Sequence, residues 1–229
     1  TVNDGHGGIV TKPLTVTVTG SNDTAAITSA AQIGAITEIA GAHNSSTPDI
    51  ATGTITFRDV DWTDTHAVTI LSSVSASGVV TGLANGTVPL TWLSLGSLTD
   101  STHGAIGSRS WTFSAPDYYF DYLADSETVT LTYTVQVDDH HGGITSQNVA
   151  ITVTGTNDAP EVAADVSGNA GLHAIAEQSG VTGSAALDHA GGSLTFRDVD
   201  LSDTHTYGNS KPAFAWLDAN GAPLTLTLD

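Results

Sequence analysis

Three aspartates, Asp59, Asp61 and Asp64, sit within one short stretch, and the pattern returns as Asp198, Asp200 and Asp203. Calcium is a hard cation that takes six to eight oxygens at ~2.3–2.6 Å, and carboxylates two residues apart on an extended chain point the same way. The spacing therefore predicts that each triplet wraps an ion. The competing reading is a solvated loop in which Asp is present because turns favour it. Against that, three like charges in so short a loop repel unless a cation neutralises them. A second acidic group is expected where a hairpin turn, Asp138 and Asp139, meets a junction between units, Asn157 and Asp158; Asn22 and Asp23 form the preceding junction.

Other chemistries find less support. Nine scattered histidines and no cysteine offer no set of four converging zinc donors, and there is no thiolate, disulfide framework or redox motif. No Gly-x-Ser-x-Gly elbow occurs, so an enzyme is not expected. The run Pro116-Asp-Tyr-Tyr-Phe-Asp-Tyr-Leu-Ala124 holds three of the five tyrosines. Tyr118 and Tyr119 are candidates for stacking on sugar faces, as is Trp62, which the second copy replaces with Leu201. The alternative is packing, with Tyr122 as a tyrosine corner and Phe120 and Leu123 in the core.

The whole chain is acidic: 24 Asp and Glu against 5 Lys and Arg in 229 residues, a formal net charge of −19. Such a surface repels phosphate backbones and anionic lipid headgroups, which excludes nucleic acid and direct membrane insertion. Only four of the acids are Glu, and Thr, Val and Gly abound, a vocabulary of strands and turns. Thr1 opens a polar turn, and no N-terminal signal peptide is expected.

The acidic groups are carried by an internal repeat. Val2-Asn-Asp-Gly-His-Gly-Gly-Ile9 returns as Val137-Asp-Asp-His-His-Gly-Gly-Ile144, 135 residues on. Phe57-Arg-Asp-Val-Asp61 returns as Phe196-Arg-Asp-Val-Asp200, 139 residues on, and Glu38 aligns with Glu177 at that spacing. Residues 24–158 form one whole unit, 159–229 the head of another, and 1–23 the tail of a third that is read as completing 159–229. Within the whole unit, Val129, Leu131, Tyr133, Val135 and Val137 alternate with polar residues, as do Val149, Ile151 and Val153, which predicts a half-buried hairpin. Further strands are expected near 25–29, 52–59, 66–71, 88–93 and 109–114. Short antiparallel strands between Gly and Asn turns predict an all-β fold, a sandwich of immunoglobulin type.

The motifs Phe57-Arg-Asp-Val-Asp-x-x-Asp-Thr-His66, Asp121-Tyr-Leu-Ala124, Tyr133-Thr-Val-x-Val-Asp-Asp139, Gly142-Gly143 and Thr156-Asn-Asp-Ala-Pro160 resemble the VCBS repeats of large bacterial adhesins, which look like cadherin-like domains. In size the chain is similar to the rhizobial Rap adhesins. The resemblance implies calcium held by Asn22 and Asp23 with Glu38, Asp59 and Asp61, and by Asn157 and Asp158 with Glu177, Asp198 and Asp200. It also implies type I secretion to the bacterial surface and matrix, and calcium-dependent binding of an acidic exopolysaccharide in biofilm. A calcium-rigidified spacer of a large adhesin with no ligand is the alternative, and self-association is a third possibility.

Overall fold

A computed structural model of the chain describes residues 1–83, 88–162, 179–181, 183, 185–186 and 195–208, and the backbone of 216–217 and 223–224. Its body is residues 24–158. The strongest element is the hairpin of β9 (Thr128–Asp138) and β10 (Ile144–Thr154), paired antiparallel along its whole length. Val129, Leu131, Tyr133, Val135 and Val137 are all fully buried, as are Val149, Ile151 and Val153, so the expected alternation is realised residue for residue.

Two four-stranded sheets enclose the core. One is ordered β4-β10-β9-β6, with β4 spanning Gln32–Thr37 and β6 Ala67–Gly78; the other is β3-β5-β8-β7, with β3 Ala26–Ile27, β5 Pro48–Arg58, β7 Leu93–Thr99 and β8 Gly107–Pro116. This is an immunoglobulin-type β-sandwich: the first strand is split, β3 pairing antiparallel with β5 in one sheet and β4 crossing to pair with β10 in the other. The β4–β10 pair is parallel, the exception in an otherwise antiparallel fold. Strand β4 was not anticipated. Its middle residue, Gly34, offers no alternation signal, but a Cβ there would lie 2.6 Å from the Ile151 side chain and 2.8 Å from that of Ala51. Glycine is what allows the sheets to close.

Phe57, Trp111, Phe113, Phe120, Leu131 and Tyr133 fill the space between the sheets. Gly53 of β5 lies under the Trp111 indole, whose atoms would be 2.4–2.7 Å from an added Cβ. Tyr122 forms the expected corner: its hydroxyl donates to the Val79 carbonyl at 2.7 Å, with Phe120 and Leu123 fully buried beside it. The strand expected near 88–93 begins only at Leu93. Pro89, with no N–H to give a ladder, leads into a 3-10 turn at Leu90–Trp92.

Residues 1–23 carry β1 (Val2–Asn3) and β2 (Ile9–Val10), paired with each other. Past the body, β11 (Glu161–Val162) pairs with β12 (Phe196–Arg197), and Glu161 faces Arg197 as Ala26 faces Arg58, so the second unit starts on the register of the first. Trp216–Leu217 and Pro223–Leu224 form a further pair. Among the described residues no helix is long and apolar enough to cross a membrane.

Candidate metal centre at the junction

Strand direction decides which acidic groups meet. Strand β10 carries the chain roughly 35 Å from the Asp138–Gly143 turn to residues 155–158. The turn therefore cannot touch the junction that follows it. It meets the preceding one: Asn22 donates its side-chain amide to Asp139 Oδ2 at 3.1 Å. Glu38 moves the other way. It follows β4, which runs parallel to β10, so it arrives beside residues 154–158 and accepts the Thr156 N–H at 3.0 Å. The expected grouping of Glu38 with Asn22, Asp23, Asp59 and Asp61 is thus exchanged for one with Asp158.

At the first end the acids are largely satisfied by the protein itself. Asp59, fully buried, accepts the Asp61 N–H with Oδ1 at 2.9 Å and lies 3.0 Å from His66 Nε2 with Oδ2. The other ring nitrogen of His66 is 2.6 Å from Asp100 Oδ1. Burial opposes protonation of His66, but the two carboxylates outweigh it and raise its pKa. Asp61 Oδ2 accepts the Asp23 N–H at 2.7 Å, and Asp64 Oδ2 is 3.2 Å from His141 Nδ1. Asp139 accepts the N–H groups of His141 and Gly143; although its burial works the other way, these bonds and Asn22 hold its carboxyl below the usual range. Asp138 accepts the His140 N–H. Asp59 and Asp61 are thereby hydrogen-bonded into a loop locked by His66, while Asp64 Oδ2, beside His141, is buried without a hydrogen-bond partner. Trp62 projects from this loop with 64% exposure, its ring 5.9 Å from His103.

The second copy reproduces this loop. Asp198 accepts the Asp200 N–H at 3.2 Å and meets His205 Nε2 at 2.7 Å, and Asp203 donates its N–H to the Asp200 carbonyl. Phe196 lies 5.0 Å from His205, as Phe57 does from His66. Asp158 donates its N–H to Asp200 Oδ2 at 2.9 Å, while Asn157 turns its amide to the Asp158 carbonyl. Glu177 lies outside the described residues.

At the second junction the body of the whole unit faces the acids. The β8–β9 connection brings Asp117 and Asp121, and the start of β5 brings Asp49; none of these is among the expected calcium ligands, Asp121 entering the sequence reading only through the Asp121–Ala124 motif. One arrangement recurs. Asp117 accepts the Ile39 N–H at 3.0 Å, Asp121 the Asn44 N–H at 2.8 Å, Glu38 that of Thr156 and Asp200 that of Asp158, each through one oxygen. The other oxygen of each, Asp117 Oδ2, Asp121 Oδ1, Glu38 Oε1 and Asp200 Oδ1, is buried without a hydrogen-bond partner, as are both of Asp158. That makes six free oxygens on these five carboxylates. Asp49 adds a further one, Oδ2.

The electrostatics follow. Burial first, then the charges of Asp158, Asp121 and Asp117, push Glu38 up to about 8 against the Thr156 hydrogen bond. Burial with Asp117 and Asp121 pushes Asp49 up to about 7, and burial with the neighbouring aspartates takes Asp200 to about 6. Asp117 and Asp158 are raised for the same reason, His43 partly offsetting the effect at Asp158. Buried anions without partners are costly, and the cost is removed either by protonation, the direction in which these carboxyls are pushed, or by a cation. Apart from His43 Nδ1, which is also buried without a hydrogen-bond partner, the free donors are hard carboxylate oxygens, which suit calcium or magnesium and not a soft metal. Among the described residues no three such groups surround one point tightly enough to hold a metal as they stand. Ion binding here requires side-chain rotation that draws the free oxygens inward.

No family model matches the chain, and no curated protein matches it in sequence. Among the solved structures it is similar in part to the ASH / PapD-like domain of human CEP192 (PapD-like domain 7), at 12% identity and a TM-score of 0.34, over 66% of this chain and 99% of that one.

Proposed function

We propose that this chain is a calcium-stiffened β-sandwich repeat of a secreted adhesive protein, in which the ion sets the joint between consecutive units. One observation carries the reading: of five buried carboxylates from both sides of one junction, four are fixed through one oxygen by a backbone N–H, and the five together leave six oxygens without a hydrogen-bond partner. Six oxygens is the lower bound of a calcium shell. Five negative charges exceed what one divalent ion cancels, so the group suits more than one.

The donors span the joint. Glu38, Asp117 and Asp121 belong to the first unit, Asp200 to the second and Asp158 to the connection, so an ion among them resists bending. Without it, the anions repel and the joint loosens. Extracellular modules bind calcium with Kd of about 10⁻⁴–10⁻³ M, which fits a protein working where free calcium is plentiful. The charge of −19 has a role here too, since it raises the local concentration of divalent cations.

Calorimetric titration of calcium into chelator-stripped protein, paired with thermal unfolding, tests this. Binding together with a raised Tm, both diminished in Asp117→Asn, is expected. Absence of heat and of any Tm change defeats the reading.

A further inference from the structure

A cleft of about 410 Å³ opens beside the junction, within the ~300–1,000 Å³ range of small-molecule sites. Tyr118, Tyr119 and Tyr122 line it from the first unit, and Asp198 and Leu201 from the second, with Asp121 between them. Its two walls are tied together by the Leu201 N–H, which donates to the Tyr122 carbonyl at 3.3 Å. Its floor depends on Gly82, where an added Cβ would lie 1.9 Å from the Tyr122 ring.

The lining has a definite chemistry. Tyr118 is 41% exposed and its ring lies 4.4 Å from that of Tyr119 at 31°, a braced aromatic platform with one face free. Asp121 is clamped through Oδ2 by the Asn44 N–H, and Oδ1 has no hydrogen-bond partner. That oxygen is buried, so a ligand hydroxyl reaches it through the same side-chain rotation that ion binding requires, and its two lone pairs let it serve both. A ligand that fits offers a flat C–H face and several O–H donors, which describes a pyranose ring. Among the described residues neither Lys nor Arg lines the cleft, and two aspartates do, so a uronate carboxylate meets repulsion from these residues where a neutral ring does not.

We propose that this cleft binds a neutral pyranose ring of a glycan, stacked on Tyr118 with its hydroxyls directed to Asp121 and Asp198. The proposal rests on the junction reading, because one wall belongs to the second unit. It departs from the acidic polysaccharide that the family resemblance implies.

Saturation-transfer NMR on the whole chain with calcium tests it, using cellohexaose as the neutral probe and hexagalacturonate as the acidic one. Expected are transfer to the pyranose C–H protons of cellohexaose, retention in Tyr118→Phe, and about tenfold weaker binding in Tyr118→Ala with an unchanged Tm. No transfer from folded, calcium-loaded protein, equal binding by Tyr118→Ala, or tighter binding of hexagalacturonate each overturns it. The two readings fail separately. If calcium leaves Tm unmoved while Tyr118-dependent transfer persists, the junction reading falls and the cleft stands; if calcium raises Tm without any transfer, the cleft falls.

Discussion

The backbone N–H of Asp158 donates to Asp200 Oδ2 at 2.9 Å, and one repeat earlier that of Asp23 donates to Asp61 Oδ2 at 2.7 Å. The same inter-unit clasp thus occurs at both junctions. At the second, among the described residues, the clasped carboxylate faces further buried acids from the preceding unit, and several of their oxygens lack hydrogen-bond partners. The clasp ties the units together, and the body adds the buried carboxylates that the proposed ion would neutralise.

Replacing Asp117 by Asn separates these effects. In chelator, removing one of several repelling buried charges raises stability by about 1 kcal/mol, because the amide keeps an acceptor for the Ile39 N–H. In calcium the sign reverses, since the stabilisation by bound ligand depends on an affinity the variant has lost. Urea unfolding with and without calcium reads both.

The cation-free protein becomes less stable as pH rises. Glu38 titrates near 8 when folded and near its ordinary 4.5 when unfolded, so between these values the folded state holds the extra proton. Its contribution is fully present below about pH 4.5 and is lost by about pH 8; Asp49, near 7, and Asp200, near 6, act in the same direction. A Tm lower by several degrees at pH 8 than at pH 5.5 is expected in chelator, and saturating calcium flattens the difference. A Tm that rises with pH in chelator contradicts the electrostatic assignment.

His66→Ala destabilises the first unit by ~3 kcal/mol, because it strips the partner from one oxygen of a fully buried Asp59 and leaves Asp100 only its two backbone N–H donors. Its cost is the same with and without calcium at the second junction, which lies at the far end of the sandwich. Denaturant unfolding in both conditions checks this.

Tyr122→Phe leaves the Val79 carbonyl without its 2.7 Å donor and costs about 1–2 kcal/mol. Gly53→Ala costs about 1–3 kcal/mol, since the Trp111 indole must move from a close-packed position. Measured Tm shifts of similar size in Tyr122→Phe and Gly53→Ala are expected.

Much of the fold was legible in the sequence because alternation is local: Val129 to Val137 and Val149 to Val153 declare their buried face without reference to anything distant. Strand β4 was not, because its partner lies more than a hundred residues away and Gly34 answers to the Ile151 and Ala51 side chains. The acidic loops were recognised from their spacing. Their grouping was not, because which end of a sandwich a residue reaches depends on strand direction, and the parallel course of β4 sends Glu38 to the second junction. Asp117 and Asp121 were hidden within an aromatic run that read as core, and Asp49 had no neighbour in sequence to mark it. The available signal was two aspartates flanking Tyr118, Tyr119 and Phe120, acids placed where burial was already expected.

Terbium, which takes calcium's oxygen sites and luminesces when a nearby aromatic ring is excited, tests the junction most directly. The account predicts sensitised emission from the intact chain through Tyr119 and Tyr122, displaced by calcium and absent in Asp117→Asn/Asp121→Asn. Emission of undiminished strength and affinity in that double variant would place the ion elsewhere and contradict the account.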